Sequence, residues 1–295
     1  MSYLLKNINL EVVIGAPTEL YNGSRFDASG NIFQVTLNQK HTFCTNEKKE
    51  HHSGYGFGLV NEFDIELPFS YPKAKPSEWF HKIGVGELQR ISNEPYDFFK
   101  LYPKIQLNYR VNQKGSEEIE FEAESEQVRG MKYLYSKTIA ISQNQLWIKY
   151  RLKNIGSDAF ETAEYCHNFL AINQRNLDAS YALKLNSAIC PDEFTANVNT
   201  DQLLDMGNNE ITWKATPEND FFIAGLTGTQ QKCTGWQLRN IEEKAAVSEV
   251  IDFECNQMNL WGTTHVVSPE LFFKTYLTPG HESVWRRKFT FYDLQ

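Results

Sequence analysis

The sequence lacks most of the patterns that mark the common functional classes. Its five cysteines (Cys44, Cys166, Cys190, Cys233 and Cys255) are scattered, odd in number and form no C-x-x-C. That argues against a disulfide framework and against a cysteine zinc site, and leaves reduced, mostly buried thiols as the expectation. Positive charge is in deficit: the formal net charge is −8. A nucleic-acid surface needs clustered Lys and Arg. The densest basic run, "VWRRKF", sets Arg286, Arg287 and Lys288 between apolar residues and reads as a strand end. No apolar run approaches the ~20 residues of a membrane span. The N-terminal "MSYLLKNINLEVVIGAP" has no basic region followed by a long apolar one, so the expectation is a cytoplasmic protein.

Chemical signatures are equally sparse. There is no G-x-S-x-G, no H-x-x-x-H or H-x-H, and no carboxylate-rich loop. "GYGFGL" resembles a dinucleotide loop only superficially, because no helical pattern follows it. No metal or cofactor is therefore expected. Helical periodicity is almost missing too. The segment "NTDQLLDMGNN" offers one turn or two.

What the chain has is alternation. "LWIKYRLKN" sets Leu146, Ile148, Tyr150 and Leu152 on one face and Trp147, Lys149, Arg151 and Lys153 on the other. "EEIEFEAES" alternates likewise. "SQNQ", "VNQKGSEE" and "TPGHES" read as hairpin connections. Aromatic residues make up 14% of the chain; they favour strands, and they also offer flat apolar platforms. Many short strands with turn signals and no visible linker predict an all-β chain: one large antiparallel β-sandwich over residues 1–295.

Among seven histidines, His41, His51, His52 and His281 read as structural or surface residues, with His51 and His52 inside the polar loop "CTNEKKEHHSGYG". His81 lies in "EWFHKIGVGEL", His265 in "WGTTHVVSPE" and His167 in "EYCHNFLAIN". Each of these three is either a hydrogen-bonded core residue or a proton carrier. Alternation puts Ala163, Tyr165, His167 and Phe169 on one strand face, with Cys166 and Asn168 on the other. Glu270 stands in the apolar run "VVSPELFF", where a carboxylate must be paired, hydrogen-bonded or functional. Pro269 beside it suggests an edge strand or a bulge.

Three stretches together resemble the galactose mutarotase-like superfamily, which includes the aldose 1-epimerases and the glucose-6-phosphate 1-epimerase-like proteins. They are "YNGSRFDASGNIFQVTLNQ", a Gly-x-Arg-type strand followed by a hairpin; "LKNIGSDAFETAEYCHNFLAIN", a strand pair carrying a histidine before an aromatic residue; and "SPELFFKTYLTPGHESVWRRKFTFY", a glutamate strand, a Pro-Gly turn and a last strand. The resemblance spans nearly the whole chain and implies a β-supersandwich with a sugar cleft on one concave sheet. It implies His167 as general acid and Glu270 as general base, on different sides of an aldose whose α and β anomers they interconvert, with no cofactor. His81, with Lys82 as its competitor, matches the second family histidine, and Arg25 matches the arginine that binds sugar hydroxyls unless it is a structural partner of Asp27. Tyr165 and Phe169 are candidate stacking surfaces. The family aspartate has no evident match. Asn168 departs from the family pattern and, facing away, affects packing more than chemistry. The expected ligand is a sugar or a sugar phosphate, for which Arg25, Lys82, Arg90 and Arg175 supply charge. The alternative is a non-catalytic carbohydrate-binding or regulatory protein on the same fold.

Overall fold

The structure is a computed structural model that describes residues 2–50, 54–228, 232–255 and 257–294. His51 and His52 lie outside the described residues. Two ten-stranded sheets dominate, and every strand pairing is antiparallel. The first runs Tyr3–Lys6, Leu10–Ile14, Ile32–Leu37, Leu59–Phe63, Phe160–Asn168, Val266–Leu277, Met258–Thr263, Phe221–Ala224 and Ala196–Val198, with His41–Thr42 added beside Ile32–Leu37. The second runs Leu204–Met206, Glu210–Trp213, Tyr181–Leu185, Gly235–Asn240, Ala245–Ile251, Glu282–Asp293, Gln145–Asn154, Tyr133–Ser142, Glu118–Glu124 and Tyr109–Lys114. A three-stranded sheet (Trp79–Lys82, Gly86–Gln89, Lys104–Gln106) stands apart. No α-helix occurs among the described residues. The helical turn expected around "NTDQLLDMGNN" is instead the short strand Leu204–Met206 and its flanks.

Local sequence explains these elements. In Gln145–Asn154 the buried positions are Leu146, Ile148, Tyr150, Leu152 and Asn154, the period-two set. Its hairpin to Tyr133–Ser142 turns at Gln143, whose φ is 52°, and the last hairpin turns at Gly280, with φ 81°. The two sheets face each other across a continuous apolar core. Aromatic rings join them: Trp285 of the second sheet stacks on Phe273 of the first at 4.2 Å and on Tyr150 at 5.1 Å. None of the five cysteines is in a disulfide; Cys190 is half-buried and the rest are buried.

Two stretches differ from their sequence-based expectation. "VWRRKF" is the middle of the strand Glu282–Asp293, not its end, and Arg287 is fully buried. Arg25 sits in irregular chain before Ile32–Leu37 rather than in a strand, although the hairpin that follows is present, through Thr36 opposite Thr42.

Candidate functional site

Three central strands of the first sheet build the site: Leu59–Phe63, Phe160–Asn168 and Val266–Leu277. Tyr165 pairs with Phe272, and Leu170 bridges to Val267. That one register places His167 directly opposite Glu270. Side chains at opposed positions share a sheet face, and His167 Nε2 lies 3.4 Å from Glu270 Oε1. The acid and base candidates are therefore side by side, not on different sides of a ligand. The ladder is interrupted between these two anchor points, where Pro269 has no N–H to give. Asn168 fills the gap. Its backbone N–H donates to Ser268 Oγ at 2.9 Å, and its Nδ2 donates to the Pro269 carbonyl at 2.7 Å and to Glu249 at 3.3 Å. Pro269 thus marks a local opening inside a central strand, not an edge.

Ser268 Oγ donates to Glu270 Oε1 at 3.1 Å and so orients the carboxyl group. His167 is oriented by rings. It stacks on Phe169 at 3.9 Å with 9° between planes, and meets the edges of Phe26 at 5.9 Å and Trp261 at 5.3 Å. Phe169 is fully buried, and Gly56 packs so tightly against it that a Cβ there would sit 2.2 Å from the ring. Its ring is covered by His167, Phe26, Trp261 and the chain at Gly56. Phe169 supports the histidine and is not exposed as a stacking surface for a ligand.

Electrostatics set the protonation of the pair. Burial pushes the His167 pKa well below its ordinary value, and the nearby Arg25 adds to this. Burial raises the Glu270 pKa to about 8, against the opposing effect of the Ser268 hydrogen bond. Near neutral pH the uncharged pair is favoured: imidazole beside carboxylic acid, with one exchangeable proton between them. His167 Nδ1 is buried and has no hydrogen-bond partner among the described residues.

Glu62, cross-strand from Tyr165, is the hub of the neighbouring polar cluster. It accepts from Arg25 Nε at 2.7 Å and from the Tyr165 hydroxyl at 2.6 Å, and Lys82 Nζ lies 3.4 Å away. Arg25 Nη2 also donates to the Tyr165 oxygen at 3.2 Å. Arg25 therefore partners Glu62, not Asp27. Asp27 accepts instead from Ser29, Tyr109 and Tyr135, and Gly84 at φ 80° runs so close that a Cβ would lie 2.7 Å from it.

A cavity of about 440 Å³ opens over the pair, lined by Arg25, Tyr165, His167 and Glu270 together with Trp261 and Asp220. Lys82 does not line this cavity; its ammonium is buried beside Glu62 and donates to the Phe63 and Asp64 carbonyls. His81 does not join the site. Strand neighbours alternate, so it faces away from Lys82, fully buried, with Nε2 at 3.0 Å from the Glu126 carbonyl. Burial holds its pKa near 4. Of the other described histidines, His41 sits between Asn173 and Asp293, and His265 lies against the Asn46 carbonyl.

Glu62, Ser268, Trp261 and Asp220 escaped the sequence reading. Glu62 carries the same signal as Glu270, a carboxylate in an apolar run ("LVNEFDI"), and Ser268 is two residues from Glu270, hence on its face. Asp220 is the one aspartate lining the cavity that holds His167.

No family model matches the chain, and no curated protein sequence matches it. Solved structures do. A galactose mutarotase-like protein from Lactobacillus casei ATCC 334 superimposes with a TM-score of 0.63 at 10% identity, over 99% of this chain and 100% of that one. A galactose mutarotase-like protein from Clostridium acetobutylicum gives 0.59 at 12% identity, over 99% and 95%. The GalM/aldose epimerase homologue from C. elegans gives 0.54 at 12% identity, over 100% and 99%. The chain has the galactose mutarotase-like fold, as the resemblance implied. At such identities the likeness extends to the fold and no further.

Proposed function

We propose that the protein is an aldose 1-epimerase-like isomerase, interconverting α and β anomers by general acid–base opening of the sugar ring. The observation that carries this reading is the His167–Glu270 pair, a buried acid and base side by side at 3.4 Å on the floor of a cavity. The ring oxygen and the anomeric hydroxyl of an aldose hang from the same carbon, so adjacent groups reach both from one side.

The proton starts on Glu270, reversing the first-step roles implied by the resemblance. The carboxylic acid protonates the ring oxygen while His167 Nε2 takes the anomeric hydroxyl proton. The bond between C1 and the ring oxygen breaks, leaving an aldehyde and a C5 hydroxyl. After rotation about C1–C2, that hydroxyl adds to the other face of the carbonyl carbon. Its proton returns to Glu270, and the imidazolium gives its proton to the carbonyl oxygen. The enzyme ends as it began, and no cofactor enters. Each proton transfer contributes roughly 10²–10⁴-fold. In this reading Arg25 and Asp220, which line the cavity, hold sugar hydroxyls.

A second reading, a sugar-binding protein without turnover, draws on the unpartnered His167 Nδ1, which would give a transient imidazolium no acceptor. Anomer exchange separates the two. Freshly dissolved α-D-glucose or α-D-galactose, followed by polarimetry or NMR, should equilibrate faster in proportion to enzyme concentration. Binding without acceleration across a panel of free and phosphorylated aldoses would sink the catalytic reading.

A further inference from the structure

Glu270 does not stand at the end of the cleft. It lies on the wall between the His167 cavity and a second cavity of about 620 Å³. Ile65, Phe98, Phe222 and Glu270 line both, so the two spaces adjoin. A hexose has twelve non-hydrogen atoms; at no more than the ~30 Å³ that a liquid water takes, it needs at most about 360 Å³. The first cavity alone holds it. A disaccharide needs at most roughly 700 Å³ by the same measure, less than the two cavities offer together.

The lining of the second cavity has a definite chemistry. Phe98, Phe222 and Phe272 give aromatic surface, and Gln257 and Asn259 give neutral donors and acceptors. Aromatic walls with a few polar groups are what sugar C–H faces and hydroxyls require. Its charge is acidic: Asp64, Glu66 and Glu161 line it, while its one cation, Lys274, is already paired with Glu161 at 2.9 Å. In the first cavity Arg25 is engaged by Glu62 and Tyr165, and the Lys48 cation lies over the Tyr55 ring. A phosphate in the second cavity would meet Asp64 and Glu66, with its one lining cation already held by Glu161.

Resting on the epimerase reading of the pair, we propose that the substrate is an uncharged reducing disaccharide or longer oligosaccharide. Its reducing ring lies over His167 and Glu270, and the adjoining ring occupies the second cavity.

The test compares kcat/KM for catalysed anomer exchange on glucose, glucose 6-phosphate, maltose, cellobiose and lactose. At least one disaccharide should exceed glucose by 10-fold or more, with glucose 6-phosphate the poorest. Glucose equal to or better than every disaccharide, or glucose 6-phosphate the best, would overturn the proposal while leaving the epimerase reading intact. Should no sugar be exchanged, the epimerase reading fails, and quenching of the Trp261 fluorescence decides the ligand class. Tighter binding of a disaccharide than of glucose supports the proposal; equal binding, or none, overturns it. Gln257→Trp fills the second cavity from an exposed position, and should cut the disaccharide preference at least 10-fold; an unchanged preference counts against the proposal.

Discussion

The two faces of the strand Phe160–Asn168 bury ionisable groups in opposite ways. On the inner face, Glu164 meets Arg287 of the opposing sheet. The guanidinium reaches Glu164 and Glu249 at 2.8 Å each and the Leu271 carbonyl at 2.9 Å. Trp285 and Trp236 donate indole N–H bonds to the same two carboxylates at 3.0 and 2.8 Å. Burial there is compensated almost atom by atom. On the outer face, three residues along the strand, His167 and its cross-strand neighbour Glu270 are also buried but have little more than each other and Ser268. Compensated charges are fixed and serve architecture. The uncompensated pair gives up its charge instead, and a group that readily changes protonation can do proton chemistry. Asn168 bridges the faces, tying Glu249 of the inner network to the strand that carries Glu270.

The largest effect expected from breaking this comparison is on the outer face. His167→Ala or Glu270→Gln should reduce catalysed anomer exchange by at least roughly 10²-fold while near-UV circular dichroism stays native. Wild-type exchange rates in either variant would show that the pair is not the acid–base machinery. On the inner face the loss should be of stability. Arg287→Met strands two buried carboxylates and should cost about 3–5 kcal/mol in urea unfolding; a cost under about 1 kcal/mol would mean the network is not the compensated one drawn here.

A third prediction sets the faces against each other through pH. Glu270 has a folded pKa of about 8, against an unfolded value near 4.3. Between these values the folded state holds a proton that the unfolded state has released, so rising pH lowers stability across that window. Glu270→Gln removes the effect. The variant should match wild type near pH 4 and exceed it by up to a few kcal/mol at pH 8. Parallel stability curves for the two would refute an uncompensated carboxyl. The smallest effect belongs to Ser268, which joins Asn168 to Glu270. Ser268→Ala should cost about 1 kcal/mol in stability and move the alkaline limb of the exchange–pH profile upward, since the hydrogen bond it removes holds the Glu270 pKa down.

Much of the fold was legible because alternation at period two is local. The buried set of Gln145–Asn154 and the hairpins at Gln143 and Gly280 can be read from a few residues each. His167 and Glu270 were legible singly, one from its strand and the family-like stretch, the other from its apolar surroundings. Their opposition was not, because cross-strand register between distant segments leaves no local trace. The same limit explains Arg287. "VWRRKF" reads as a strand end, and nothing local shows that Glu164 and Glu249 meet Arg287 from elsewhere in the chain. Alternation shows that His81 and Lys82 face opposite ways without saying which face meets the cleft, and it put Phe169 on the right face without showing that Gly56 would cover it.

The pH dependence of kcat/KM for anomer exchange tests the shared-proton pair most directly. A working pair with one proton predicts a plateau around neutrality, an acid limb well below pH 6.5 as His167 charges, and an alkaline limb near pH 8 as Glu270 loses its proton. Exchange that keeps rising through pH 9, with Glu270 ionised, would contradict it.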